Sequence, residues 1–283
     1  MKLRYAFLLA PAALALTAAA PKHEAPGHAS GGHEKAVQQT AAYERPSARP
    51  APAPAHGKPH WAYAGESGPE SWGDLSEEFK LCKAGHMQSP IDLGGVDIEG
   101  KIAVRAAYQP GPLTLLNNGH TVQAVIAPGS TMTSGIARYK LLQVHFHTPS
   151  EEVLYGLPYP MVAHFVHVDH AGNLAVLGVL FEEGAHNPEL EKLVRAAPAE
   201  ESEATVIKGV TFDPSRLLPQ NLAVYRYEGS LTTPPCTEGV RWHVARHRVT
   251  ASAAQIAALH GIMGDNARPI QPLHGRLLVA GAD

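Results

Sequence analysis

From about residue 61 to residue 279, apolar and polar positions alternate over short runs far more often than apolar residues recur at helical spacing. Residues 113–116 and 121–126 flank Asn117-Asn-Gly-His120, and an Asn-Gly pair between two apolar runs predicts a hairpin. Residues 139–147, 161–168 and 174–181 read as longer and more apolar strands. Tyr159-Pro160 precedes the second of these, and Asp169-His-Ala-Gly-Asn173 joins it to the third with turn-forming chemistry. Helical periodicity is confined to 187–196 and to 251–260, the latter after a Thr250 or Ser252 cap. This balance predicts a mainly β (α+β) fold, a single domain with a sheet at its centre and short peripheral helices.

Before this region the pattern changes. Lys2 and Arg4 precede an apolar stretch over 6–16, and Thr17-Ala-Ala19 offers a small-residue cleavage site, so 1–19 reads as a secretory signal peptide. The apolar run is shorter than the roughly 18 residues a spanning helix needs, and no cysteine near the cleavage region offers a lipid anchor, so no stable membrane anchor is expected. Residues 20–58 are rich in Ala, Pro, Gly and His without sustained periodicity, as in a disordered linker. The folded domain is then expected over 59–283, in a periplasmic or secreted protein.

Charge narrows the partners. A formal net charge of -3 over 283 residues argues against nucleic acid as the main ligand. Of 17 histidines, His23, His28, His33 and His56 fall in the linker and His60 at its border; they either do nothing specific or capture zinc weakly. The two cysteines, Cys82 and Cys236, are expected to pair in an oxidising compartment, and closing so long a loop is worth at most about 5 kcal/mol of chain entropy. Two buried free thiols are the alternative.

The candidate chemistry begins at Gln143-Val-His-Phe-His147. Side chains two apart on a strand share a face, so His145 and His147 point one way with Gln143, and Phe146 points the other. His164 shares a face with Val162 and Val166. If the two strands are neighbours, three imidazoles converge on one metal ion with a fourth position open. Alone the triplet is weak, because 17 histidines in 283 residues give roughly one His-x-His by chance. Satisfied core histidines would leave the same pattern.

Further motifs accompany it in order: Trp61-Ala-Tyr63, Gly68-Pro-Glu-Ser-Trp72, Gln88-Ser-Pro-Ile-Asp92, the Asn-Asn-Gly-His turn, Ala163-His164-Phe-Val-His167, Leu174-Ala-Val-Leu-Gly178, Gly229-Ser-Leu-Thr-Thr-Pro-Pro235 and Arg268-Pro-Ile-Gln-Pro272. Together they resemble the α-class carbonic anhydrases, most closely the secreted bacterial branch, over essentially the whole folded part. The resemblance implies a large, mostly antiparallel, twisted β-sheet. It implies Zn2+ on His145, His147 and His164, and reversible hydration of carbon dioxide to bicarbonate and a proton by zinc-bound hydroxide. It implies that Thr232, donating to Glu151, orients the nucleophile, with Thr233 beside it. Val166, Val176, Leu231 and Trp242 match the apolar wall for carbon dioxide. His120 matches the proton shuttle, and Tyr63, Asn118 and Gln123 match residues that order water between shuttle and metal. Sulfonamide or anion inhibitors are expected, and a homodimer is one assembly the secreted relatives suggest.

One position departs from the family. A metal-bound histidine usually donates its second N–H to a fixed acceptor. Gln143 matches that acceptor for His145, and the Asn266 carbonyl matches it for His147. For His164 the family places a glutamate two residues earlier; here that position is Val162. After Glu151 the family usually has a histidine, and here there is Glu152. Either Glu152 or an ordered water supplies the acceptor, or Glu152 lies outward and the site is weakened. A catalytically weakened or non-catalytic zinc-binding relative is therefore the alternative function, and a zinc reservoir built on the linker is a third.

Overall fold

The computed structural model describes residues 60–281. The expected signal peptide and linker, with His23, His28, His33 and His56, lie outside the described residues.

In chain order the strands are β1 (Ile98–Gly100), β2 (Val104–Ala107), β3 (Gly111–Asn117), β4 (Val122–Val125), β5 (Thr131–Ser134), β6 (Ala137–His147), β7 (Val153–Leu154), β8 (Leu157–Pro158), β9 (Met161–Val168), β10 (Leu174–Glu183), β11 (Ser202–Phe212), β12 (Val224–Ser230), β13 (Glu238–Ala245), β14 (Val249–Ala251) and β15 (Val279–Gly281). The helices are α1 (Trp72–Leu75), α2 (Leu81–Ala84), α3 (Pro188–Ala196) and α4 (Ala253–Met263). Thirteen strands form one sheet whose main path runs β1-β15-β12-β13-β10-β9-β6-β4-β3-β11. Pairing is mostly antiparallel, but β10–β13, β10–β14 and β1–β15 are parallel, so the sheet is mixed.

Local sequence accounts for much of this. β3 and β4 pair antiparallel around the Asn-Gly turn, with Asn117 opposite Val122. Gly119 has φ of 81°, where a side chain would be strained. Asn187 caps α3 by accepting from the N–H groups of Glu189 and Leu190. Ser252, not Thr250, caps α4, in a capping box with Gln255. Asp169 Oδ1 accepts from the Ala171 and Asn173 N–H groups at 2.8 and 2.9 Å and closes the β9–β10 turn. None of the helices among the described residues is long and apolar enough to cross a membrane.

The two faces of the central strands bury different things. Phe146, Phe165, Leu177 and Val179 enter the larger apolar cluster, roofed by α3 and α4 through Leu190, Leu193 and Leu259. Val162, Val176, Tyr227, Trp242 and Val244 form a smaller cluster on the opposite face. The histidine triplet lies on that second face. Cys82 and Cys236 form a disulfide. It ties α2 to the segment after β12 that carries Thr232 and Thr233.

Candidate metal centre

β6 and β9 are antiparallel neighbours, and His145 sits directly opposite His164. The pleat puts His147 two residues along on the same face. One ring nitrogen from each of His145, His147 and His164 lies within 4.8 Å of the others.

The other nitrogen of each ring is held. His145 Nδ1 bonds Gln143 Oε1 at 2.8 Å, and His147 Nδ1 bonds the Asn266 carbonyl at 2.7 Å. His164 Nε2 faces both Glu152 carboxylate oxygens at 3.2 Å. These bonds leave His145 Nε2, His147 Nε2 and His164 Nδ1 for the centre. His147 Nε2 is buried without a hydrogen-bond partner. Burial lowers the pKa of His147 to about 4 and takes those of His145 and His164 well below their ordinary value. Three neutral imidazoles sharing one point, one with an orphaned nitrogen, fit a zinc ion with three protein ligands and a fourth position open.

Two buried carboxyls stand against this triplet. Glu151 Oε2 lies 3.5 Å from His147 Nε2 and 3.8 Å from His164 Nδ1. Burial raises the Glu151 pKa to about 8, while the adjacent Thr232 hydroxyl and the Arg268 N–H, which donates to Oε1 at 2.9 Å, oppose the rise. Burial raises Glu152 to about 7, opposed chiefly by a hydrogen bond from its own backbone. A dication held by the imidazoles would draw both carboxyls back toward ionisation.

An apolar row lies beside the triplet. Val166 on β9, Val176 on β10 and Trp242 on β13 are direct cross-strand partners in sequence across the sheet. The Trp242 ring centre is 4.9 Å from that of His164, and its Nε1 donates to the Ser230 carbonyl at 2.9 Å. Leu231 packs against the same cluster. Val162, opposite His147, is wholly buried in it and offers no acceptor.

His120 is half-buried at the hairpin turn and stacks on Trp61, ring centres 3.6 Å apart and planes within 11°. It lines a cleft of about 830 Å³ with His60, Trp61, Pro234 and Pro235. Burial lowers its pKa, as does the charge of His60, against the pull of Glu201. Tyr63 lies near this group, ring centre 6.3 Å from that of His120, and Gln123 is opposite His145 on β4. Asn118 Oδ1 is taken by the N–H groups of His120 and Thr121 at 3.0 and 2.9 Å, so that atom shapes the turn.

Sequence reasoning used Asn266 only for its backbone. The structure gives its buried side chain three further bonds: Nδ2 donates to the His120 and Phe146 carbonyls at 3.0 Å each, and Oδ1 accepts from the Thr148 N–H at 2.8 Å. Arg268 was likewise unassigned. Its guanidinium bonds Gln88 Oε1 and the Ser89 and Cys82 carbonyls at 2.8–2.9 Å, binding the disulfide region to the Glu151 side of the site. The Gln88 and Arg268 motifs were the visible signal, but no local pattern shows that they meet.

The sequence profile of eukaryotic-type carbonic anhydrases matches residues 67–281. The chain is 44% identical over 223 residues to a carbonic anhydrase of Klebsiella pneumoniae, covering 78% of this chain and 90% of that one. It is 43% identical over 231 residues to one of Neisseria gonorrhoeae, covering 80% and 90%. The solved α-carbonic anhydrase of Thermovibrio ammonificans, in complex with the inhibitor sulfanilamide, superposes with a TM-score of 0.73 at 44% identity, covering 79% of this chain and all of that one.

Proposed function

Since the chain belongs to the α-class carbonic anhydrases, enzymes that hydrate carbon dioxide, we propose that His145, His147 and His164 hold the zinc ion on which the activity depends. The observation that carries this reading is the convergence of three ring nitrogens whose opposite nitrogens each meet an acceptor. Zinc bound there supplies a Lewis acid that lowers the pKa of a coordinated water to about 7; carbonic anhydrase is itself the worked case of that principle.

The remaining steps fall to the protein's own groups. With Glu151 ionised, the Thr232 hydroxyl donates to it and turns its lone pairs toward the attacking oxygen, fixing the direction of attack. Thr233 lies next along the same segment and contacts water on the substrate side. Val166, Val176, Leu231 and Trp242 give carbon dioxide a dry wall, suited to a molecule with little to gain from hydrogen bonds. Each turnover releases a proton, which His120 relays to solvent, with Tyr63, Asn118 and Gln123 ordering water along the way. Sulfonamides are proposed inhibitors, as sulfanilamide is for the Thermovibrio enzyme.

Residues 1–19 are proposed to direct export, 20–58 to act as a spacer and 59–283 to form the enzyme, in the periplasm or outside the cell. The Cys82–Cys236 disulfide supports an oxidising destination. The function is tested by carbon dioxide hydration and zinc content of the mature protein. One zinc per chain and sulfonamide-sensitive hydration, both lost in His147→Ala, are expected; hydration that persists in the zinc-free protein would refute the reading.

A further inference from the structure

His145 takes its acceptor from two residues earlier on its own strand, through Gln143. The corresponding place for His164 on β9 is Val162, a side chain with no hydrogen-bonding atom, packed among Val176, Leu180 and Val244. Yet His164 Nε2 is not orphaned. Glu152, wholly buried, arrives from the segment that follows β6 and sets both carboxylate oxygens 3.2 Å from it. That segment is tied down on several sides. Thr148 N–H donates to Asn266 Oδ1 at 2.8 Å, Ser150 N–H to the Tyr159 carbonyl at 2.9 Å, and Ser150 Oγ to the Glu152 carbonyl at 2.7 Å. The carboxylate is therefore delivered by a fixed loop rather than by a free side chain.

We propose that Glu152 is the positioning residue for His164 and that positions 152 and 162 form an exchanged pair, the acceptor having moved from the strand to the loop. This rests on the zinc reading above. It adds that adjacent residues serve opposite sides of the centre: Glu151 faces Thr232, while Glu152 fixes the ring and tautomer of the third ligand. Zinc affinity then depends on the 148–152 loop, and the lack of a polar group at 162 does not weaken the site. The apolar side chain at 162 instead completes the buried cluster beside the carbon dioxide wall.

The test is zinc affinity, by competition of apoprotein against a chromophoric chelator, alongside the melting temperature of the apoprotein. Glu152→Ala is expected to weaken zinc binding by up to about 100-fold and Glu152→Gln, which keeps one acceptor oxygen at the same reach, by about 10-fold. Apo Glu152→Gln should melt no lower than wild type, because a desolvated carboxylate has been replaced by a neutral isostere. A purely structural role would lower apo stability and leave affinity in the folded protein unchanged. Glu152→Ala combined with Val162→Glu should recover affinity to within about tenfold of wild type, since an acceptor has returned to the strand. Wild-type affinity in both single Glu152 variants would overturn the proposal, as would a double variant that folds and binds no better than Glu152→Ala. Failure of the wild-type chain to take up one zinc would instead overturn the zinc reading beneath it.

Discussion

Replacing Asn266 tests how the site is held together. Its side chain is fully buried and bonds the Thr148 N–H, the Phe146 carbonyl and the His120 carbonyl. In Asn266→Ala the Phe146 carbonyl keeps Thr121 Oγ1 at 2.7 Å, and the His120 carbonyl sits at a half-exposed turn that water reaches. Thr148 is 1% exposed, and its N–H keeps no other partner. One orphaned buried donor costs about 1–3 kcal/mol, and the two further hydrogen bonds removed add about 1 kcal/mol each, so a loss of about 3–5 kcal/mol is expected. Asn266→Asp separates this account from simple loss of volume. It keeps the shape and the Oδ1 acceptor but sets an oxygen against two carbonyl oxygens now 3.0 Å from Nδ2. It should cost at least as much as alanine. Urea unfolding of the apoprotein, with the disulfide intact, reads both values. Aspartate within about 0.5 kcal/mol of wild type, inside the range of a bland surface substitution, would refute the reasoning.

Three other outcomes follow from the same geometry. Val176→Phe should abolish most carbon dioxide hydration while leaving one zinc per chain by metal analysis, because it fills the wall between Val166 and Trp242 without touching a ligand. His120→Ala should slow turnover in weak buffer and recover with added imidazole in stopped-flow assays, leaving zinc content unchanged. Buried His167 and His243 have pKa values lowered to about 4 and about 3, chiefly by desolvation. Above about pH 6.5 both states leave them neutral; below it the unfolded chain binds protons that the fold refuses, so each subtracts up to about 1.4 kcal/mol per pH unit as pH falls toward 4. Relative to wild type, apoprotein carrying His243→Gln should show a pH-stability slope shallower by about that amount between pH 6 and 4, measured by denaturant titration.

Local chemistry made the strands around the site legible. The runs that became β6, β9 and β10 carry apolar residues dense enough to be seen without neighbours, and the Asn-Gly turn joining β3 to β4 announces itself. The helix starts near Asn187 and Ser252 were readable for the same reason, although the choice between Thr250 and Ser252 as the second cap came only with the structure. β11 was not, because as a mostly exposed edge strand it mixes polar and apolar residues without a clean alternation. β12 and β13 hid behind Arg226, Glu228 and Arg241, whose charges interrupt the apolar pattern while their partners bury the rest. The parallel pairing of β10 with β13 joins distant segments and has no local signature. The site divides in the same way. His145, His147 and His164 were visible from strand spacing and motif order, whereas the inward turn of Glu152 and the side-chain bonds of Asn266 depend on loops docking from elsewhere. Val162, read alone, pointed to a weakened centre; with Glu152 in place, every nitrogen turned away from the centre has an acceptor.

The most direct measurement is a zinc anomalous-difference map from crystals of the mature protein. A single peak about 2.0–2.1 Å from Nε2 of His145, Nε2 of His147 and Nδ1 of His164 is expected, with Glu152 still against His164 Nε2. A peak elsewhere, or none in zinc-saturated crystals, would contradict the account.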